Sequence, residues 1–259
     1  MSWISKNLFT VYRKAGLIYL NAQGRRALAA RGYDRLFDAR PAHAYPPVWS
    51  DLWLLYRLVR TFKPKVMLEF GGGCSTLIYA QALADNAAEG AAGYLYSLDA
   101  DKEWAGITAG SLPAHLKAYC EVAYTPAVPV EYDGTLGWRY RDVPDVALDF
   151  IYLDGPALTP ERRVAVDVLD LESRFQSGFH LVVDGRSRNC AFLEAHFQQQ
   201  FHSKYVDKQL QLKAFFLMVS KRKHLHRPKL RLRRCLEGLA KTMTVFLNAG
   251  NLRGLPYFS

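Results

Sequence analysis

The sequence predicts an α/β fold: a doubly wound, mostly parallel seven-stranded sheet with an antiparallel C-terminal hairpin and added helices at both ends. Three observations predict it. Short apolar runs alternate with helix-periodic stretches through residues 64–220, which is the pattern of βαβ units. Four of those runs end in Gly or Asp at the same relative place. Two strand-like runs then close the region with only a short turn between them, so they are expected to pair antiparallel.

The elements follow in chain order. Residues 1–63 read as a basic helical extension, in which Leu8, Val11, Tyr12, Ala15, Ile18 and Tyr19 share one helix face. Pro41, Pro46 and Pro47 interrupt it, and Val48–Thr61 reads as a second helix ended by Pro64. Residues 64–220 form the central domain. Val66–Phe70 is a strand running into Gly71-Gly72-Gly73, and Ser75–Asp85 is helical. Gly93–Leu98 is a strand closed by Asp99, followed by a helix over Asp101–Ser111 and a strand over Tyr119–Tyr124. Pro126–Pro144 is rich in Pro, Gly and aromatic residues and does not read as a crossover helix. It is either a surface hairpin with an apolar plug or a functional loop beside a cleft. Leu148–Leu153 is a strand ending in Asp154-Gly155-Pro156, and Pro160–Phe175 reads as a helix with Pro in its first turn. Phe179–Val183 is a strand ending in Asp184-Gly185, and Arg188–Phe201 reads as a helix. Ser203–Gln209 and Lys213–Ser220 are the closing strands. Residues 221–259 form a basic amphipathic tail, with Leu232, Leu236, Leu239, Met243 and Phe246 on one helical face.

Composition narrows the function classes. Half of the 259 residues are apolar, which excludes a disordered chain. The longest apolar runs, such as Ala15–Leu20 and Ala214–Val219, fall far short of the roughly 20 residues that span a bilayer. The four cysteines, Cys74, Cys120, Cys190 and Cys235, are scattered and form no Cys-x-x-Cys pair. Neither a disulfide framework nor a zinc site is indicated, and no signal peptide is read, so the expected location is cytoplasmic. The net charge of +10 is uneven. Residues 1–44 hold 8 Lys/Arg and 2 Asp/Glu, residues 221–259 hold 10 and 1, and residues 45–220 hold 16 and 21. An acidic body thus lies between two basic ends. Such ends attract an anionic membrane surface, such as the inner face of the membrane, a nucleic acid or an acidic protein, or they are simply solvated helices. The oligomeric state is not legible.

In an open α/β sheet, ligands bind outside the carboxyl ends of the strands. The strand-end pattern therefore gathers Gly71–Gly73, Asp99, Asp154 and Asp184 into one cleft. Glu69-Phe70-Gly71-Gly72-Gly73-Cys74-Ser75-Thr76 carries the sharpest signal: strand, acidic residue, glycine turn, helix start. The glycines permit a tight turn and clear space for a ligand, and the helix start offers free N–H groups. No Lys follows, so this is not a phosphate-binding Walker loop, and the third glycine of the dinucleotide fingerprint is missing. Asp99 can take both hydroxyls of a ribose, or cap the helix that follows. Trp138 and Tyr140 offer stacking faces for a sugar or adenine. Arg186 and Arg188 could pair with an acidic acceptor, or belong to a loop capped by Ser187.

Taken together, these residues resemble the class I S-adenosylmethionine-dependent methyltransferases over roughly residues 64–220. Glu69, Gly71 and Gly73 match that family's first motif, Asp99 its second, and Asp154 the acidic end of its fourth strand. The Glu-Phe-Gly-Gly-Gly-Cys-Ser-Thr form and the Asp-Gly-Pro after the fourth strand resemble glycan-associated and glucuronoxylan-type O-methyltransferases. The resemblance implies a Rossmann-like fold and S-adenosylmethionine held by Glu69, Gly71, Gly72, Gly73, Ser75 and Asp99. It implies Asp154 as catalytic residue and a sugar, glycan or other small hydroxyl acceptor, for which Trp138, Tyr140 and Arg186 are the candidate contacts by their own side-chain chemistry. The Asn/Asp-Pro-Pro-Tyr/Phe motif of amino-group DNA enzymes is absent, because Asp154-Gly155-Pro156-Ala157 stands there, so methylation of exocyclic base amines is not expected and nucleic acid is the less favoured partner. Gly185 replaces the Asn of the metal-dependent catechol-type enzymes, so no metal is expected. The alternative is a catalytically silent Rossmann-like module acting as a membrane or complex adaptor.

Overall fold

A computed structural model describes residues 3–161, 163–207 and 212–217. The basic tail at 221–259, with its apolar stripe, lies outside the described residues. In chain order the elements are α1 (Trp3–Ala29), a 3-10 turn (Tyr33–Phe37), α2 (Trp49–Phe62), β1 (Val66–Phe70), α3 (Cys74–Ala88), β2 (Tyr94–Asp99) and α4 (Lys102–Ser111). Then come β3 (Cys120–Tyr124), β4 (Ala127–Tyr132), β5 (Thr135–Tyr140), β6 (Leu148–Leu153), β7 (Val164–Ala165), α5 (Asp167–Asp170), β8 (Phe175–Asp184), α6 (Ser187–His196), β9 (Phe201–Asp207) and β10 (Leu212–Leu217).

The main sheet has seven strands in the order β3-β2-β1-β6-β8-β10-β9. β3, β2, β1, β6 and β8 run parallel, and β10 is antiparallel to both β8 and β9. The order reverses beside β1: the chain first builds outward through β2 and β3, then crosses back to lay β6 on the other side. This is the doubly wound Rossmann-like plan, and its switch point sits where the carboxyl ends of β1 and β6 part.

β1 and β6 read as nearly continuous apolar runs because helices cover both faces of a parallel sheet. Successive side chains alternate between those faces. Met67, Phe150, Tyr152 and Val182 pack with Leu52, Leu55 and Val59 of α2 and with Leu77, Ile78 and Leu83 of α3. Leu68, Phe70, Ile151, Leu153, Leu181 and Val183 pack on the other face with Val164–Val168 and with Leu193 of α6. Helix α2 thus shares a core with the sheet. Lys63 ends it in a left-handed conformation (φ 47°) directly before Pro64, which cannot continue a helix. Helix α1 crosses α2 at Gly24, where a Cβ would stand 2.6 Å from the Trp49 carbonyl carbon.

One expectation changes. Pro160–Phe175 is not a long helix. Val164 and Ala165 form the short strand β7 beside β5, and Asn189 pins it through both its amide groups to the Ala165 backbone. Only α5 and a 3-10 turn over Glu172–Arg174 are helical there. β-Branched Val164, Val166 and Val168 at every second position suit a pleated surface better than a helix. Of the two readings of Pro126–Pro144 the hairpin holds: it is β4–β5, turning at Asp133-Gly134, both with positive φ. With β7 it forms a second, three-stranded sheet. The closing pair joins the sheet at its edge as expected, with β10 antiparallel on β8 and β9 outermost.

Candidate functional site

The carboxyl ends of β1, β2, β6 and β8 open into a cleft of about 620 Å³, a size typical of small-molecule sites. Its floor is Gly71, Gly72 and Gly73, with Asp99, Asp154 and Asp184 at the ends of the neighbouring strands. The N-terminal segment supplies another wall through Arg40, Tyr45, Pro46, Val48 and Asp51. Tyr45 stacks on Trp104 of α4, with ring centroids 5.3 Å apart and planes at 29°, so two distant segments meet above the cleft.

The glycine turn is held from below. Glu69 is completely buried, and its carboxylate accepts from Ser75 Oγ (2.5 Å), Thr76 Oγ1 (2.6 Å) and Ser97 Oγ (2.6 Å). Thr76 Oγ1 in turn accepts from the Gly73 amide at 2.9 Å. Burial pushes the Glu69 carboxyl up to about 7, while the three hydroxyls favour the ionised form. Gly71 donates its amide to the Leu98 carbonyl with φ +92°, a conformation that favours glycine. A Cβ on Gly73 would meet nothing within 4 Å, so the space above that residue belongs to the cleft.

Asp99 is fixed by two backbone amides. Oδ2 accepts from Gly72 at 3.0 Å and Oδ1 from Asp101 at 2.9 Å. The helix cap is Asp101 instead, whose carboxylate accepts from the Glu103 and Trp104 amides. Burial raises the Asp99 pKa, and the backbone donors oppose the rise.

Asp154 projects into the cleft with 46% of its side chain exposed. Desolvation, then the nearby Asp184 charge, push its carboxyl up to about 8, and Arg186 pulls it back. Solvent on its open side screens part of that rise. Asp184 accepts from Tyr152 Oη at 2.9 Å, and burial raises its pKa too.

The acceptor-side expectations divide. Trp138 lines the cleft, with Arg163 stacked over its ring at 4.9 Å. Tyr140 does not reach the cleft. It is 2% exposed, packs on Phe70 with centroids 5.0 Å apart, and lies directly beneath Gly155. Arg186 is also buried, 7% exposed, and serves the turn after β6. Its Nη2 donates to the carbonyls of Asp154 and Pro156, the latter at 2.7 Å. Neither residue presents a surface to an acceptor. Glu69 likewise lies under the turn, while Ser75 lines the cleft and donates to Glu69.

Arg40, Tyr45 and Trp104 are cleft residues that sequence reasoning missed. The available signals were an aromatic in the first turn of the helix after Asp99, and Tyr45 immediately before Pro46-Pro47, a context that extends the backbone. Among the described residues no cluster of His, Cys, Asp and Glu has a metal-binding arrangement, and no helix is long and apolar enough to cross a membrane.

No protein-family profile matches the chain, and no curated protein matches it in sequence. Solved structures do. A methyltransferase from Geobacter sulfurreducens is 15% identical, covering 77% of this chain and 90% of its own, with a TM-score of 0.45. An O-methyltransferase from Bacillus cereus in complex with S-adenosylhomocysteine is 15% identical over 77% and 91%, at 0.43. The O-methyltransferase TomG from Streptomyces achromogenes, involved in tomaymycin synthesis and solved with S-adenosylmethionine, is 17% identical over 78% and 90%, at 0.44. Independently of these likenesses, the strand order and register make this chain a doubly wound, Rossmann-like α/β protein with its cleft at the switch point.

Proposed function

We propose that the chain is an S-adenosylmethionine-dependent O-methyltransferase whose acceptor is a hydroxyl of a sugar, glycan or other small molecule. The observation that carries the reading is the convergence of the Gly71–Gly73 turn, Asp99 and Asp154 on one cleft at the switch point. The motif resemblance of those residues supports it. Five aspartates, at 51, 99, 101, 154 and 184, line the cleft and favour a cationic sulfonium.

When bound, S-adenosylmethionine supplies an electrophilic methyl group. The residues of the chain bind and orient. Asp99, already held by two amides, faces the cleft where a ribose would offer its hydroxyls. Gly73 leaves the floor clear, since a Cβ there would meet nothing within 4 Å, and Gly72 lets the turn close down on buried Ser97, whose Oγ a Cβ would approach to 3.0 Å. Asp154 takes the acceptor hydroxyl proton on a carboxylate oxygen. Tyr45, Trp104 and Trp138 exclude water and fix the reacting partners, and such positioning supplies much of the rate in a displacement reaction. Arg25 and Arg26 of α1, beside the exposed Ile18 and Tyr19, suit an anionic membrane surface.

The test is calorimetry with S-adenosylhomocysteine on the wild-type chain and Gly73→Val. A Cβ at Gly73 would meet no protein atom within 4 Å, so the variant should fold with unchanged circular dichroism and lose binding. Wild-type protein that binds no adenosyl ligand would end the proposal.

A further inference from the structure

We propose that Arg40 is the carboxylate receptor of the cleft: the ligand that fills it carries a carboxylate that pairs with the Arg40 guanidinium. The proposal rests on the cleft being the ligand site described above.

Arg40 is the one cation among the described residues that line this cleft, against five aspartates. Its Nε and Nη1 are shielded from water and have no hydrogen-bond partner in the protein. A guanidinium carries five N–H donors in a fixed fork, and shielding such donors without partners is unfavourable by more than a neutral hydrogen bond is worth. Arg40 therefore holds no other element in place through these two atoms. A ligand can take them once the side chain turns toward the cleft that Arg40 lines.

Position narrows the ligand further. Arg40 follows the 3-10 turn over Tyr33–Phe37 and precedes Tyr45, whose carbonyl lies 3.8 Å from Cys74 Sγ in the first turn of α3. The positive charge of Arg40 is felt at the Cys74 thiol, lowering its pKa against the larger effect of burial. The guanidinium thus stands near the start of α3, where backbone N–H groups also favour an anion. Phosphate and carboxylate both fit an arginine fork. The aspartates decide between them, because a doubly charged phosphate would meet twice the repulsion that a singly charged carboxylate meets.

The carboxylate has two sources, the amino-acid end of S-adenosylmethionine or an acidic acceptor such as a uronate. Calorimetry on the full chain separates them, using wild type, Arg40→Gln and Arg40→Lys, with melting temperatures recorded for each. The probes are S-adenosylmethionine, decarboxylated S-adenosylmethionine, and glucuronate added to protein saturated with S-adenosylhomocysteine. Arg40→Gln is expected to weaken one carboxylate ligand ten-fold or more. Arg40→Lys is expected to fall between, because a lysine keeps the charge and loses the fork. If S-adenosylmethionine weakens and the decarboxylated form does not, the carboxylate is the cofactor's own. If both are unchanged and glucuronate binding is lost, it is the acceptor's. Equal losses for the carboxylated and decarboxylated forms, or no loss for either carboxylate ligand, overturn the proposal. A wild-type chain that binds neither adenosyl probe removes the methyltransferase reading instead. Glucuronate titrated into the free proteins then decides Arg40 on its own.

Discussion

Gly71 and Gly155 meet backbone against backbone. A Cβ on Gly71 would stand 2.7 Å from the Gly155 amide nitrogen, and one on Gly155 would stand 2.5 Å from the Gly71 nitrogen. The turns after β1 and β6 are thereby pressed together, and Asp154 donates its amide to the Phe70 carbonyl at 2.9 Å beside them. Two sites of different sequence origin share one wall of the cleft because neither residue has a side chain.

Alanine at either position is therefore expected to destabilise the fold. Overpacking of a close contact costs about 1–3 kcal/mol, and Gly71→Ala adds the strain of a left-handed residue, about 1 kcal/mol. Urea unfolding followed by circular dichroism checks this. Gly155→Ala with wild-type stability would mean that the two turns part readily.

Asp99→Ala removes the acceptor of two amides and the candidate ribose partner together. Affinity for S-adenosylhomocysteine should fall by about 1–3 kcal/mol, read by calorimetry. Asp99→Asn keeps one carbonyl acceptor and should fall less. Unchanged affinity in both variants would take Asp99 out of the site.

Asp154 must lose its proton to act as a base. With its carboxyl raised to about 8, the rate of methyl transfer should climb with pH through that region and level above it. Asp154→Asn should lower turnover by about 10²–10⁴-fold and leave S-adenosylhomocysteine affinity within about two-fold. Radiolabelled methyl transfer to hydroxyl and uronate acceptors is the assay. EDTA should leave the rate unchanged; a loss restored by Mg²⁺ would overturn the base role as drawn.

Asp167 is a buried acid of another kind. It is 2% exposed, with Oδ1 accepting the Tyr140 amide at 2.7 Å and Oδ2 unpartnered. Burial lifts its pKa to about 7, so the folded chain holds a proton that the unfolded chain releases near the ordinary Asp value of about 3.9. The native state binds more protons between those values, and the stability this acid contributes is full below pH ~4 and lost as pH rises through ~7. Asp167→Asn should therefore gain on wild type across that window, by on the order of a few kcal/mol at pH 8. Denaturant midpoints of both proteins from pH 4 to 8 give the difference. A flat difference would assign Asp167 an ordinary acidity.

The legible part of this protein is what local chemistry dictates. The glycine turn after Val66–Phe70, the carboxylates at strand ends and the seven-strand plan all follow from periodicity and turn residues within a short window. Tyr140 and Arg186 were illegible for the opposite reason. Trp138 and Tyr140 lie on the same face of β5, two residues apart. Only Trp138 reaches the cleft, because Tyr140 slides under Gly155, a residue from another strand. Arg186 reads as a cleft cation until the carbonyls of Asp154 and Pro156 draw it inward. β7 is too short to declare itself, and exists because β5 offers it a partner.

The place of β10 has a consequence for synthesis. It is the last strand of the sheet to leave the ribosome, yet it lies between β8 and β9. Until residues 212–217 emerge, the nascent chain presents the β8 edge with unpaired amides and carbonyls, and β9 has no neighbour at all. Open edges of this kind recruit strands from other chains. Translation that stalls after Asp207 should therefore yield a sticky, aggregation-prone intermediate, and release of residues 212–217 should convert it to a sheet in which β8 is paired and β9 alone stands at that edge.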